Sequence, residues 1–231
     1  MRRQDKAVWS YLAVSLAGVI LAAAFLTKPR AASIIDWKLL IWAVFSSLCL
    51  LGAMATFFPH RCSPSVVLPE DLDQSRFTTL KGVRLVHGHH PMCGKFGVHE
   101  FNVGRKTFCA GCAGLFIGVV AALSVATLYF VHRRSLPASS GYIGLGFVLL
   151  GLLYIPFFKV GFPMIRTAVN ALFVLGFALV LVAVDGVGSL VLDLIVIGLC
   201  SYWMFSRIQL SRMSHDIICD DCDEACDKKG V

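Results

Sequence analysis

Six long apolar runs limit this chain more than any motif in it. They fall near 8–26, 38–58, 109–131, 141–158, 167–184 and 187–206. A helix needs roughly 20 such residues to cross the hydrocarbon of a bilayer. Backbone polar groups find no water there, so a helix satisfies them internally. The fold class expected is therefore all-α: a polytopic membrane helix bundle of about six transmembrane helices. Charge supports this, since 15% of the residues are charged, against about 25% in an ordinary water-soluble domain. The formal net charge of +7 sits mostly beside the apolar runs, so it reads as topology and not as a nucleic-acid surface.

The distribution of lysine and arginine sets an orientation. With six spans, sixteen of these residues fall on the side shared by both termini and five on the other. The positive-inside rule then puts both termini and the long second connection in the cytoplasm, with the chain multi-pass in the cell inner membrane. The N-terminal run has a basic start, but its apolar part is longer than a usual signal core, so it is read as a retained helix. The organisation expected is transmembrane helices 1–2 over 1–58, a cytoplasmic Cys/His-rich loop over 59–108, transmembrane helices 3–6 over 109–206, and a cytoplasmic acidic Cys-rich tail over 207–231. Within the loop, LPEDLDQSRF suggests a short helix and KGVRLV one short extended piece. Asp185-Gly186 should close a tight turn between the last two spans. Pro156 should kink the end of the fourth.

The chemistry concentrates where that loop enters the third span. His87, His89, His90, Cys93, His99, Cys109 and Cys112 lie within 26 residues. Imidazole and thiolate together suit a borderline-soft ion such as zinc. Cys109-Ala-Gly-Cys112 is a standard half-site, and two thiolates at that spacing can converge on one ion. Cys93 supplies a third ligand, and His90 or His89 the fourth. His87 and His99 read equally well as ordinary exposed polar residues. The helix that starts at Cys109 would favour thiolate at its first turn. A reducing cytoplasm favours metal ligation or redox chemistry over structural disulfides. Cys49 and Cys200 lie in apolar runs and read as buried small hydrophobes. Gly114 and Gly118 form a small-xxx-small pair that would let the third helix approach a neighbour closely.

The run GHHPMC, followed by FCAGCAGLFIG entering a span, resembles a family of small prokaryotic integral membrane proteins catalogued as domain of unknown function 2085. The resemblance covers about 87–130. It matches His89 or His90, then Cys109, Ala110, Cys112, Gly114 and Gly118. Gly111 stands where that family usually has arginine, and histidines followed by Cys93 replace its Cys-His pair. The resemblance implies a membrane protein and supplies no activity.

A second constellation closes the chain. His215, Cys219, Cys222 and Cys226 give H-x3-C-x2-C-x3-C amid acidic residues, a pattern that attracts cations. Zinc is the cofactor expected, and an iron–sulfur cluster fits less well because the full ferredoxin run is absent. The tail and the loop fall on the same expected side, so the two clusters form separate sites or one shared site. Inside the membrane, Asp193 is the residue to associate with any transport path. Its expected partners are His132, Arg133 and Arg134 at the outer end of the third span. Asn170 should bond a neighbouring helix.

No nucleotide loop, dinucleotide fingerprint, nucleophile elbow or H-E-x-x-H occurs, so nothing marks the chain as an enzyme. Three readings follow. The first is a membrane protein of unknown role that binds a soft metal, with a structural or sensing site. The second is a metal-ion transporter. The third is a thiol–disulfide oxidoreductase using Cys109 and Cys112, with Glu100 the one acid near them. Expected partners are the lipid bilayer, a metal ion, and a second copy of the chain or another membrane protein. Nucleic acid is not expected.

Overall fold

The computed structural model describes residues 3–29, 36–58, 73–89, 96–137, 139–157 and 161–220. Six helices carry the fold: α1 (Arg3–Leu26), α2 (Lys38–Phe57), α3 (Ala110–Ala126), α4 (Ser140–Phe157), α5 (Pro163–Asp185) and α6 (Leu190–Asp220). All six are long and apolar enough to cross a membrane. Their ends follow local chemistry. Pro29 lies just beyond α1, where it cannot continue the helix. Pro163 opens α5 at its first turn, where its missing N–H costs nothing. The last two spans are joined as expected by a tight turn, with Gly188 at φ 78° and its N–H donating to Asp185 O at 2.8 Å.

α5 is the central helix. Two thirds of its span is buried (67%), against 33–44% for the other five. It runs along both α3 and α4. Small residues make those contacts possible. A Cβ on Gly114 would lie 2.3 Å from Thr167 O, and one on Gly118 would lie 2.7 Å from Ala171 O. The pair expected to allow close approach therefore seats α3 directly on the backbone of α5. Gly144 of α4 and Gly176 of α5 meet in the same way, each facing the other's carbonyl.

α1 and α6 close the bundle. Trp203 is fully buried, its Nε1 donates to Ser15 O at 3.0 Å, and Ser15 and Ser206 hydroxyls bond at 2.8 Å. The outward faces are apolar, with Ile20, Leu51, Ile117, Ile143 and Val191 all exposed. Large apolar patches of this kind are uncommon on soluble monomers.

The bundle is all-α as expected, and the connection between α2 and α3 adds short strands beside it. This connection contains two antiparallel hairpins, β1 (Phe77–Leu80) with β2 (Val83–Val86), and β3 (Glu100–Val103) with β4 (Lys106–Cys109). Phe77 pairs with Val86 and Leu80 with Val83; Glu100 pairs with Cys109 and Val103 with Lys106. Both turns have two residues. Lys81 and Gly82 both adopt positive φ, 47° and 81°, as a type I′ turn requires, and Gly104 opens the second turn at φ 60°. The short helix expected in LPEDLDQSRF is a three-residue 3-10 turn, Gln74–Arg76, over its described part. The extended piece expected in KGVRLV is β2.

Helix directions alternate. The start of α1, the hairpins, the starts of α3 and α5 and the far part of α6 share one end of the bundle, here the hairpin end. The starts of α2, α4 and α6 share the other.

Candidate metal centre

β4 delivers Cys109 to the first turn of α3 and fixes how the sulfur points. Cys109 N donates to His87 O at 2.7 Å. The Cys109 sulfur then caps α3, accepting the Cys112 N–H at 3.5 Å. Cys112 follows one turn in, with its sulfur 3.9 Å from His89 Nδ1. His89, Cys109 and Cys112 offer three ligand atoms that all lie within 4.8 Å of one another. Tetrahedral zinc with Zn–S near 2.3 Å and Zn–N near 2.1 Å separates its ligand atoms by roughly 3.5–3.8 Å. A small contraction of this group therefore reaches a zinc geometry.

The surroundings brace the site and assign nearby residues other tasks. Arg76 is buried and forms a two-pronged ion pair with Glu100, Nη2 to Oε2 at 2.9 Å. Arg76 O accepts the N–H groups of His87 and Gly88, both at 3.0 Å. One arginine thus ties β3 to the segment that carries His89. Glu100, the one acid near the cluster in sequence, is held in that pair. His87 is not a ligand here. Its Nδ1 sits 2.8 Å from Thr107 O, its Nε2 sits 3.3 Å from Thr78 Oγ1, and its ring stacks on Phe108 at 4.6 Å. Lys106 Nζ donates to the carbonyls of Gln74 and Phe77. On the helix side, Thr167 Oγ1 of α5 donates to Ala110 O at 3.1 Å. The first turn of α3 is held from both flanks.

His99, read as an exposed candidate, is buried. It packs with Phe96 and His215, all three ring centroids 5.3–5.4 Å apart. This cluster joins the hairpins to α6 at a point one turn before Cys219. The group of His89, Cys109 and Cys112 does not include His215. The backbone of Cys219 belongs to the last turn of α6. His90, Cys93, Cys222 and Cys226 lie outside the described residues. Cys49 and Cys200 are buried, as their apolar neighbours implied.

Asp193 is 3% exposed, and its Oδ1 has no hydrogen-bond partner among the described residues. Its expected partners are corrected. The charges that reach it are those of Asp185 and Lys38. Lys38 Nζ pairs with Asp185 and bonds Tyr129 Oη at 3.0 Å, while Tyr129 Oη donates to Asp185 at 2.8 Å. Arg133 turns away because the helix changes pitch. Thr127–Val131 is a π-helical turn closed by His132 N to Thr127 O, and Arg133 leaves it at φ 56°. It reaches Asp36 at 3.1 Å and holds that carboxyl below the usual range by hydrogen bonding it. Asn170 does bond a neighbouring helix: its Oδ1 accepts from Arg207 Nη2 at 3.0 Å.

Sequence reasoning missed Arg76 as a brace, Lys38 and Asp185 as an ion pair, and Arg207 as a buried charge. Arg207 carried a visible signal, since it continues an apolar run. Arg76 and Lys38 carried none, because their partners lie 24 and 147 positions away. Comparison of the chain with family models, curated proteins and solved structures found no match.

Proposed function

We propose that this is a polytopic inner-membrane protein that holds one zinc ion at the mouth of α3 through Cys109, Cys112 and His89. Cys93 or His90 supplies the fourth ligand. The observation that carries the reading is the convergence of three soft ligand atoms within 4.8 Å at a helix start braced on both flanks. The role is structural or sensing. The ion pins the hairpins to the bundle, and closed four-ligand sites with cysteine generally do this. The tail residues His215, Cys219, Cys222 and Cys226 supply a second set of soft-metal ligands. Both termini are cytoplasmic on this reading, by the bias of lysine and arginine.

The test is metal content per chain of full-length protein, purified without chelator, for wild type and for Cys112→Ser. Loss of about one zinc per chain in the variant supports the site. Unchanged zinc sinks it. So does a Cys109–Cys112 disulfide trapped by alkylation in growing cells, which would point to thiol–disulfide exchange. Fusions of a cytoplasm-only and a periplasm-only reporter to each terminus test the orientation.

A second reading, ion transport, is favoured by the other end of the bundle. There Asp193 keeps one buried carboxylate oxygen unbonded beside the Lys38–Asp185 pair, and intramembrane carboxylates commonly mark ion paths. Metal uptake into vesicles by wild type, abolished in Asp193→Asn, would support it. Equal uptake by both would exclude it.

A further inference from the structure

We propose that Arg166 and Arg207 form a receptor for one phosphate-type oxyanion at the hairpin end of the bundle. This site adjoins the zinc ligands, since Cys109 lies beside Arg166, but it uses none of them. Arg207 is 5% exposed. One of its nitrogens, Nη2, donates to Asn170 Oδ1. The other two, Nε and Nη1, are buried without a hydrogen-bond partner among the described residues, as is Nε of Arg166. Asn170 lies one turn beyond Arg166 on α5 and bonds Arg207, which brings the two guanidinium groups to one level of the bundle. Among the described residues, the titratable side chains that can carry negative charge near them are Tyr154, which lies under Arg207 at 6.0 Å, and Cys109 beside Arg166. None of the ion pairs among the described residues involves either arginine.

Two like charges inside a bundle are unfavourable unless something of opposite charge joins them. A neutral amide from Asn170 does not meet that need. The open donors belong to the side chain that best matches phosphate, because the planar guanidinium fork binds two of its oxygens at once. The position suits such a ligand. Arg207 lies 17 residues beyond Leu190 (207 − 190) on α6, about 25 Å along the axis at 1.5 Å per residue. That is close to the far boundary of a ~30 Å hydrocarbon layer. Arg166 lies in the first turn of α5 at the same boundary.

The test uses the full chain in nanodiscs and reads its thermal midpoint. In one arm the lipid is phosphatidylcholine and inorganic phosphate is added, against chloride at equal ionic strength. In the other arm phosphatidylglycerol replaces part of the lipid and no phosphate is added. Wild type is expected to gain about 5 °C in at least one arm, and Arg166→Gln and Arg207→Gln to gain nothing there. A gain with phosphate assigns the site to a dissolved anion, and a gain with phosphatidylglycerol alone assigns it to a headgroup. No gain in either arm overturns the proposal, because the charges are then satisfied by the chain itself. An undiminished gain in the variants overturns it too. Should Arg207→Gln fail to fold, Arg166→Gln decides by the same criterion.

Discussion

The amide of Cys112 lies 3.5 Å from the sulfur of Cys109, so the residue that caps α3 is also the first of the three converging ligands. Capping and ligation are therefore separable by substitution. Serine is a strong N-cap but a poor soft-metal ligand. Cys109→Ser should keep the helix, read by circular dichroism, and lose about one zinc per chain. Cys109→Ala should lose the same zinc and also about 1 kcal/mol of stability from the missing cap. If both variants retain the metal, Cys109 is a cap alone.

His87 and His89 are neighbours in sequence with different tasks. On the proposed zinc site, His89→Ala removes a ligand. His87→Ala removes only the bonds to Thr107 O and Thr78. We expect His87→Ala to keep the zinc stoichiometry and lower its affinity roughly tenfold, as loss of an orienting group does. His89→Ala should cost considerably more in the same chelator competition. Equal losses would mean that both rings, or neither, touch the ion.

Arg76 and Glu100 are nearly buried, with side chains 10% and 13% exposed. Glu100→Gln strands the arginine, at a cost of about 2–4 kcal/mol to the hairpin region. Faster hydrogen exchange at the amides of 100–109 would register the loss. Replacing both residues by methionine should recover much of it, since the stranded charge then disappears.

Gly114 faces the Thr167 carbonyl so closely that an added methyl group must displace backbone. Gly114→Ala is expected to destabilise the bundle by about 1–3 kcal/mol. Gly146→Ala meets nothing within 4 Å and should be neutral. Denaturation of the two variants in the same detergent compares them directly, and equal stability would contradict the packing of α3 on α5.

At the far end, Lys38 balances Asp185 and lies near Asp193. Lys38→Met leaves two carboxylates without their cation and should destabilise by about 3 kcal/mol. Adding Asp185→Asn should restore part of that, because the lysine and the aspartate act on each other. Strictly additive losses in a double-mutant cycle would show that they do not interact.

The helices were legible because burial in a bilayer demands long apolar runs, and such runs are hard to mistake. Cys109 and Cys112 were named from their local spacing, but the set expected with them was Cys93 and His90, with His89 as second choice; the structure brings His89 to the pair. β2 was expected as the extended piece in KGVRLV, but its pairing with β1 and the whole second hairpin were missed. The strands have four residues each, too few for an alternating pattern to stand out. The usable signals were the turns, Lys81-Gly82 and Gly104-Arg105, since a two-residue turn needs a residue tolerant of positive φ. The choice between His89 and His90 was open because the two differ only in how the chain turns before Cys93. The ion pairs at both ends could not be read at all, because charge complementarity between distant positions leaves no local trace. The misassigned partner of Asp193 came from treating the end of the third span as regular α-helix. The π-helical turn rotates Arg133 off that face, and no residue type announces such a turn.

α6 has 31 residues and is roughly 46 Å long at 1.5 Å per residue, well over the thickness of the hydrocarbon it would cross. It carries Asp193 in its first turn, Trp203 near its middle and His215 close to its end. Trp203 is fully buried and tied to α1 through Ser15. Asp193 and His215 are 22 residues apart on this helix (215 − 193), roughly 33 Å along its axis. One continuous rod therefore spans from the Asp193 end of the bundle to the hairpin end.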